Sequence, residues 1–173
     1  MDRETSVVIR HETAADRDAI HSVEAAAFGQ DDEARLVDAL RDAGHVILSL
    51  VATDGERIVG HILFSPMTIV AGETTSPAVC LAPVAVQPEY QRSGVGSALI
   101  QAGLAELRDL GHKAVFLVGH PTYYPRFGFS PARDFDVHYQ DDRDAFMAIE
   151  LVAGALDEIS GQAAFAPEFA AFE

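Results

Sequence analysis

Apolar residues recur at helical spacing in three stretches of the chain. These stretches predict helices that begin after Thr13, near Asp31 and at Gly94, and the last two are expected to end at Gly44 and Gly111. The apolar faces consist of Ile20, Val23 and Ala27 in the first helix, Leu36, Val37 and Leu40 in the second, and Ile100, Leu104, Leu107 and Leu110 in the third.

Short apolar runs bounded by turn residues predict the strands. They cover residues 7–9, 46–52, 58–64, 67–71, 79–86, 114–118 and 146–152. The turn-rich segment 53–56 joins two of them into a hairpin, which Pro66 is expected to close, and a second turn-rich segment spans 72–77. Pro83 can donate no ladder hydrogen bond, so it indicates an edge, a bulge or a local parting of strands. Strands interleaved with few helices favour an α+β domain with a mixed sheet.

The composition is that of a folded domain. The chain has 173 residues, of which 49% are hydrophobic and 23% are charged, and this length suits one domain. Its single cysteine, Cys80, excludes an internal disulfide and a cysteine-based zinc cluster. The N-terminal segment lacks the apolar core of a secretory signal, and no apolar run approaches the roughly 18 residues of a membrane span. The sequence therefore predicts a soluble, cytoplasmic protein that does not associate with membranes.

The net charge of −15 is concentrated at the two ends of the chain. Residues 1–44 carry eleven acidic and five basic side chains, residues 132–173 carry ten and two, and residues 45–131 carry six and five. This surplus argues against nucleic acid and anionic membranes as partners, and the middle of the chain would repel an anionic ligand least. The acidic ends are either solvated surfaces or a means of attracting a cationic substrate, and both interpretations stay open.

One segment in the middle of the chain has the features of an anion-binding site. A strand over 84–86 is followed by Pro88, by a loop that contains glycine, and by the start of the third helix. The first amides of a helix lack intrahelical partners and carry about half a positive charge. Gly94 and Gly96 would let a phosphate approach these amides closely, and Arg92 adds a positive charge.

Several better-known catalytic patterns do not fit the sequence. After Gly94 the chain lacks the Gly-Lys-Ser/Thr end of a P-loop, and Leu99 stands where a dinucleotide fingerprint needs its third glycine. The seven histidines include no pair four residues apart with a glutamate between them, and no Gly-x-Ser-x-Gly turn is present. The sequence therefore predicts neither a metal centre nor a serine nucleophile.

Two motifs, in the correct order, resemble the GNAT superfamily of N-acetyltransferases. Gln-Arg-Ser-Gly-Val-Gly at 91–96 is similar to the acetyl-CoA signature Gln/Arg-x-x-Gly-x-Gly/Ala, which lies between the fourth strand and the third helix. Tyr-Pro-Arg-Phe-Gly-Phe at 124–129 resembles the family's Tyr-x-x-x-Gly-Phe after the fifth strand, and 120–124 further resembles a subgroup of bacterial members. The resemblance implies an acetyltransferase domain over 7–152, with 153–173 as a tail that packs on or extends it.

The resemblance also implies how the cofactor is bound. The central sheet would be mixed, mostly antiparallel, flanked by helices and splayed between strands 4 and 5, where the pantetheine arm of acetyl-CoA lies. Acetyl-CoA would be a co-substrate, and no metal is implied. The residues expected to contact it are Val84, Ala85 and Val86 through their backbone, and Gln91, Arg92, Ser93, Gly94, Val95, Gly96 and Ser97 through amides that hold the pyrophosphate.

The implied reaction is direct attack of a primary amine on the thioester in a ternary complex. Tyr124 matches the family's general acid by its spacing to Gly128. A phenol with a pKa of about 10 is protonated at pH 7 and can donate to a thiolate whose conjugate acid has a pKa of about 8.5. Tyr123 is the alternative if the turn is shifted by one residue. The strand over 79–86 contains no carboxylate that could accept the amine's proton. The candidate bases elsewhere are Glu24, Glu33, His61, His120 and a chain of water molecules.

The missing strand carboxylate motivates a second hypothesis, a catalytically silent CoA-binding sensor or interaction module. Transfer of another acyl group, such as succinyl, is a third hypothesis, which the acidic ends of the chain disfavour because that group is itself negatively charged. The identity of the amine acceptor is left open, and so is the oligomeric state, including a homodimer.

Overall fold

The computed structural model describes residues 7–140 and 144–172. Within them the chain forms three α-helices and nine strands that join into one sheet. The helices are α1 (Arg17–Phe28), α2 (Asp32–Asp42) and α3 (Val95–Asp109). The strands are β1 (Val8–His11), β2 (Leu48–Asp54), β3 (Arg57–Ala71), β4 (Thr74–Val86), β5 (Ala114–Val118), β6 (Ser130–Pro131), β7 (Val137–His138), β8 (Phe146–Glu150) and β9 (Gly161–Ala164).

The sheet is mixed and mostly antiparallel. Its main order is β1-β2-β3-β4-β5-β8-β6, with β9 paired to β3 and to β7. Two of its pairs, β4 with β5 and β7 with β9, are parallel, and the others are antiparallel. This architecture confirms the predicted α+β fold with a central sheet flanked by helices.

The β3–β4 hairpin is longer than the sequence predicts. Pro66 was expected to end a strand, and this was wrong, because β3 runs unbroken to Ala71. The turn predicted over 72–77 is confirmed only at residues 72 and 73, because β4 already begins at Thr74. At Pro66, β3 has left β2, whose pairing ends at Phe64, and has not yet reached β9. A residue without an amide proton therefore costs no ladder hydrogen bond on that side.

The sheet parts between β4 and β5. These strands are paired at two positions, Val79 with Val115 and Cys80 with Phe116, and then diverge. The pairing of β4 with β3 also shifts register opposite Ile62–Phe64, in the same region as Pro83, whose peptide bond with Ala82 is cis. The structure therefore confirms the predicted splay between strands 4 and 5 and the irregularity predicted at Pro83.

The helices cover both faces of the sheet. The apolar face of α3 packs on one side, against residues such as Ile62 and Phe64 of β3, whereas α1 and α2 pack on the other side, against Val51 and Leu63. The predicted apolar faces are confirmed except for Leu110, which follows the end of α3 and is 60% exposed. No helix in the described ranges has both the length and the apolar character needed to cross a membrane.

The C-terminal residues add a strand that the sequence analysis missed. The pattern after residue 152 is weak, yet β9 pairs with β3 from Thr68 to Val70 and with β7. A four-residue strand of glycine, glutamine and two alanines has neither alternation nor β-branched residues, so it gives no local signal. Its position brings the following segment, 165–169, against the second half of the sheet.

Candidate active site

The turn between β4 and α3 is shaped by two residues in the left-handed region of backbone space. Arg92 has φ +63° and Gly94 has φ +91°, and α3 begins directly afterwards at Val95. The Gln91 side-chain amide donates to the carbonyl of Val86 (3.0 Å), and the Ser93 hydroxyl donates to the carbonyl of Tyr90. These two side chains hold the turn, and the first amides of α3 follow it without intrahelical partners.

A groove of about 220 Å³ runs from this turn along the end of β4. We call it the β4 groove, and it is lined by Ala27, Phe28, Val84, Ala85, Val86, Gln91, Gly96, Ile100 and Tyr123. Five of the ten residues predicted to contact the cofactor are among them. The other five belong to the adjoining turn and the first turn of α3, and they are Arg92, Ser93, Gly94, Val95 and Ser97. The Val95 side chain is buried in the core, so its backbone alone is available for binding.

Tyr123 forms the wall of the β4 groove opposite β4. Its hydroxyl lies 3.2 Å from the Ser97 hydroxyl at the start of α3. The Arg126 guanidinium lies over its ring, 4.4 Å from the ring centre, and the Arg126 Nε donates to the Tyr123 carbonyl at 2.8 Å. A Cβ on Gly96 would come within 3.8 Å of the Tyr123 hydroxyl, so glycine keeps this passage open.

Tyr124 sits at the end of β5, packed over Gly119. Its ring contacts Tyr123 and Phe129 edge to face, with centroid distances of 5.1 and 5.9 Å. Burial raises the pKa of Tyr124 to about 12, so its hydroxyl stays protonated at neutral pH. Within the described part of the chain this hydroxyl forms no hydrogen bond, and Tyr124 is not among the residues that line the β4 groove.

A second depression, of about 500 Å³, lies where β4 and β5 part. We call it the α2 cavity, and it is lined by Gln30, Asp32, Glu33, Leu36, Cys80, Ala82, Val118, Tyr139, Gln140, Phe165 and Phe169. It shares β4 with the β4 groove, because residues 80 and 82 line the cavity and 84–86 line the groove. The sequence analysis missed Tyr139, Phe165 and Phe169, which fall in segments without periodicity.

The four candidate bases occupy different environments. Glu33 lines the α2 cavity and accepts hydrogen bonds of 3.2 and 3.3 Å from the Gln30 side chain. His120 is exposed and lies outside the residues that line the cavity and the β4 groove. Glu24 and His61 are fully buried, and Glu24 Oε1 lies 2.7 Å from His61 Nδ1. Glu33 is therefore the candidate that can meet a substrate directly.

The buried pair is extended by a third residue. His61 Nε2 lies 2.8 Å from the Ser49 hydroxyl, while the second carboxyl oxygen of Glu24 has no partner among the described residues. Burial raises the pKa of Glu24 well above its usual value, and the nearby Glu33 carboxylate adds to the shift. Burial also lowers the pKa of His61 to about 3. The pair therefore belongs to the core beneath α1, with one proton shared between its members.

Residues that could hold a metal ion do not gather near either depression. No group of three or more histidine, cysteine or acidic side chains within residues 7–140 and 144–172 has the geometry of a metal site. Burial raises the pKa of the Cys80 thiol to about 12, so it stays protonated in the wall of the α2 cavity.

Comparison with known proteins gives matches over most of the chain. A family model described as an acetyltransferase (GNAT) domain matches residues 8–132. The uncharacterized N-acetyltransferase YhbS of Escherichia coli K12 is 35% identical over 169 residues, which are 96% of this chain and the whole of YhbS. The uncharacterized N-acetyltransferase YjhQ of the same organism is 48% identical over 120 residues, but the match spans 68% of this chain and 66% of YjhQ, just under two thirds of it.

Two solved structures agree in fold along nearly all of the chain. The crystal structure of E. coli YhbS in complex with CoA superposes with a TM-score of 0.92 at 32% identity, covering 100% of this chain and 97% of that one. A GNAT family acetyltransferase from Brucella melitensis in complex with acetyl-CoA gives a TM-score of 0.79 at 34% identity, covering 96% and 99%. With its splayed sheet, its glycine turn and these matches, the chain belongs to the GNAT family of acetyltransferases.

Proposed function

We propose that this acetyltransferase moves the acetyl group of acetyl-CoA directly to a primary amine, with both substrates bound at once. The observation that carries the proposal is the parting of β4 and β5 after Cys80, because the β4 groove and the α2 cavity both open on β4 there. A donor in one depression and an acceptor in the other would have their reacting atoms brought together, which removes much of the entropic barrier to reaction. The donor is supported by the CoA and acetyl-CoA bound to the two similar structures.

In this proposal acetyl-CoA lies along the β4 groove. The backbone of Val84, Ala85 and Val86 pairs with the pantetheine arm in place of the absent β5 ladder. The pyrophosphate takes hydrogen bonds from amides between Gln91 and Ser97, where the helix dipole and the Arg92 charge favour an anion. Backbone amides near Val84 stabilise the oxyanion that forms on the thioester carbonyl.

Tyr124 acts as the general acid. The neutral amine nitrogen attacks the carbonyl carbon, the carbon–sulfur bond breaks, and the departing thiolate takes the phenolic proton. The proton that leaves the new amide nitrogen returns to the phenolate, which yields the amide, free CoA thiol and the restored phenol. Tyr124 is suited to this step because its pKa of about 12 keeps it protonated and its hydroxyl has no competing partner among the described residues.

Glu33 accepts the proton that the amine must lose. An alkylammonium group with a pKa of about 10.4 is neutral in only about one molecule in 2,500 at pH 7, so a nearby acceptor raises the reactive fraction. Glu33 is the one of the four candidate bases that lines the α2 cavity, and it is half-buried rather than sealed in the core. A water molecule between Glu33 and the amine would serve the same transfer.

The test is release of CoA thiol from acetyl-CoA in the presence of a broad panel of amines. Tyr124→Phe is expected to lower kcat by roughly 10- to 1,000-fold without changing the dissociation constant for CoA. The matched control is Tyr123→Phe, which removes a hydroxyl bonded to Ser97 and should leave kcat within a few fold. A large loss of kcat in Tyr123→Phe together with a small loss in Tyr124→Phe would mean that Tyr123 is the general acid. Thermal stabilisation by CoA with no turnover on any amine would overturn the proposal in favour of a silent CoA-binding sensor.

A further inference from the structure

We infer that the acceptor is a small primary amine that combines a positive charge with an aromatic or aliphatic body, bound in the α2 cavity with its ammonium beside Asp32 and Glu33. This inference rests on the proposed function, and it narrows the acceptor from any amine to one chemical class. Protein amines, amino acids with a free carboxylate, and polar polyamines are excluded from that class.

The charge of the cavity lining is one-sided. Asp32 and Glu33 contribute two carboxylates from the first turn of α2, and none of the described residues that line the cavity is a lysine, arginine or histidine. Acidic residues at the start of a helix are common because they offset the helix dipole, so the charge alone would say little. Here, however, both line a cavity whose other polar side chains in the described part of the chain are uncharged, namely Gln30, Cys80, Tyr139 and Gln140. An ammonium group is attracted, and a carboxylate on the same substrate is repelled.

The rest of the cavity lining is largely apolar and aromatic. Leu36, Ala82 and Val118 contribute to it from three different elements, and Val118 is 55% exposed although it is aliphatic. Phe165 packs edge to face on Tyr139 with a centroid distance of 4.6 Å, and Phe169 follows at 5.8 Å from Phe165. The lining therefore offers apolar contact to the body of a substrate while the two carboxylates hold its charged end.

The C-terminal segment that borders the cavity is held in place by contacts with the rest of the fold. This favours a small ligand over a protein segment. Phe165 directly follows β9, which is hydrogen-bonded to β3. Glu168 pairs with His45 at 2.9 Å, so the segment that carries Phe169 is tied to the end of α2. A volume of about 500 Å³ falls within the range of pockets that enclose small molecules. An extended peptide would need an open channel, and here the C-terminal segment 165–169 closes one side.

The test compares acceptors that differ by one feature. The probes are 2-phenylethylamine, ethylamine without the ring, L-phenylalanine with an added carboxylate, spermidine, and a short peptide with a free N-terminus. The value of kcat/KM for 2-phenylethylamine is expected to exceed that of each other probe by about tenfold or more, because both the charge and the apolar body are matched. A higher kcat/KM for the peptide, for spermidine or for L-phenylalanine would overturn the inference and leave the proposed function intact.

Two variants separate the contribution of the cavity's carboxylates from that of its apolar side chains. Asp32→Asn is expected to raise KM about tenfold for both 2-phenylethylamine and ethylamine, whereas Phe169→Ala should raise it about tenfold for 2-phenylethylamine alone. Asp31→Asn is the matched control, because Asp31 is exposed, precedes Asp32 and is not part of the cavity lining, and it should change KM by less than twofold. Equal effects of Asp31→Asn and Asp32→Asn would contradict a specific ammonium site.

Amine binding can be measured separately from acetyl transfer by using the protein loaded with CoA, which has no acetyl group to transfer. This measurement distinguishes a failure of the inferred amine site from a failure of the proposed function. Calorimetric titration of 2-phenylethylamine into this complex should give saturable binding that Phe169→Ala weakens. Binding without turnover of any amine would support the cavity chemistry and overturn the proposed function. No binding up to millimolar concentrations would overturn the inference, whatever the turnover measurements give.

Discussion

The ring of Tyr124 occupies the space that a side chain at Gly119 would fill. A Cβ built on Gly119 would lie closer than 3.0 Å to Tyr124 Cε2, a separation that real Cβ atoms do not show, and 3.0 Å from Cδ2. Gly119 is the first residue after β5, so the point at which the chain leaves this strand also sets the position of the Tyr124 phenol. Its backbone is not in the left-handed region, and the glycine is needed for the close approach of the ring.

Gly119→Ala should therefore displace Tyr124 and slow catalysis. If the phenol is the acid, kcat should fall about 10- to 100-fold, because a shift of about 1 Å is enough to misplace a reacting group. The dissociation constant for CoA should change little, since Gly119 does not line the β4 groove. A double-mutant cycle with Tyr124→Phe provides the control, because two changes that act through one phenol are not additive. Additive losses would mean that Gly119 acts by another route.

Gly96 and Gly103 both lie on α3, and an alanine at each is expected to change a different property. The substitution at Gly96 should weaken CoA binding, and the one at Gly103 should lower stability. A Cβ on Gly96 would meet Val86 at 3.6 Å, an ordinary contact, but it would project into the β4 groove. Gly96→Ala should leave the melting temperature within a few degrees and weaken CoA binding about tenfold, as measured by calorimetry.

Gly103→Ala is the matched control for this prediction. A Cβ there would approach two ring carbons of Phe64 closer than 3.0 Å, in the core between α3 and β3. Overpacking of this kind costs about 1–3 kcal/mol of unfolding free energy, so denaturant unfolding should show the loss while CoA affinity per folded molecule is kept. Unchanged CoA binding in Gly96→Ala would contradict the placement of the donor in the groove.

Much of what shapes the β4 groove could be predicted from the sequence. The glycine turn before α3 and the tyrosine four residues before Gly128 are local patterns, because the backbone conformation or the ring position is fixed by residues close together in the chain. The splay at Pro83 could also be anticipated, since a proline inside an apolar run has few places in a sheet.

The α2 cavity could not be predicted in the same way. The α2 cavity joins residues 30–36 to 80–82, 118, 139–140 and 165–169, and no local pattern connects these segments. Phe165 follows a strand that lacks any β signal and is placed by its pairing with β3. The buried contact between Glu24 and His61 is another long-range result, because residues 37 positions apart meet only when α1 packs on β3. Tertiary packing decides these positions.

The Glu24–His61 pair should make stability depend on pH in a characteristic way. Burial raises the pKa of Glu24 above its usual 4.5 and lowers that of His61 from 6.5 to about 3, so the folded pair holds one proton. The unfolded chain holds two protons on these groups below pH 4.5, one between 4.5 and 6.5, and none above 6.5. The unfolding free energy from this pair is therefore greatest between pH 4.5 and 6.5 and falls on both sides.

Urea unfolding of the wild type and of Glu24→Gln would measure this dependence. From pH 4.5 upward the unfolding free energy of the wild type should fall by about 1.4 kcal/mol per pH unit relative to Glu24→Gln, because the folded wild type keeps a carboxyl proton that the unfolded chain has lost. The His61 contribution is common to both proteins and is lost as the pH falls from 6.5 towards 3, because the unfolded histidine takes up a proton and the buried one does not. Parallel profiles above pH 6.5 would mean that Glu24 is ionised in the folded state.

The phenol of Tyr124 should ionise later than an ordinary tyrosine. Burial raises its pKa to about 12, whereas an unperturbed tyrosine has a pKa of 10.0. Absorbance of the tyrosinate at alkaline pH, recorded for the wild type and for Tyr124→Phe, gives the titration of this one residue as the difference between the two curves. That difference should stay near zero up to about pH 10.5, where an ordinary tyrosine is already mostly ionised. Tyr90→Phe is the control, because the pKa of Tyr90 is also raised, first by its hydrogen bond to Asp54 and then by burial. A difference curve for Tyr124 centred near pH 10 would mean that water reaches the phenol, and the acid would then be lost from the active enzyme two pH units earlier.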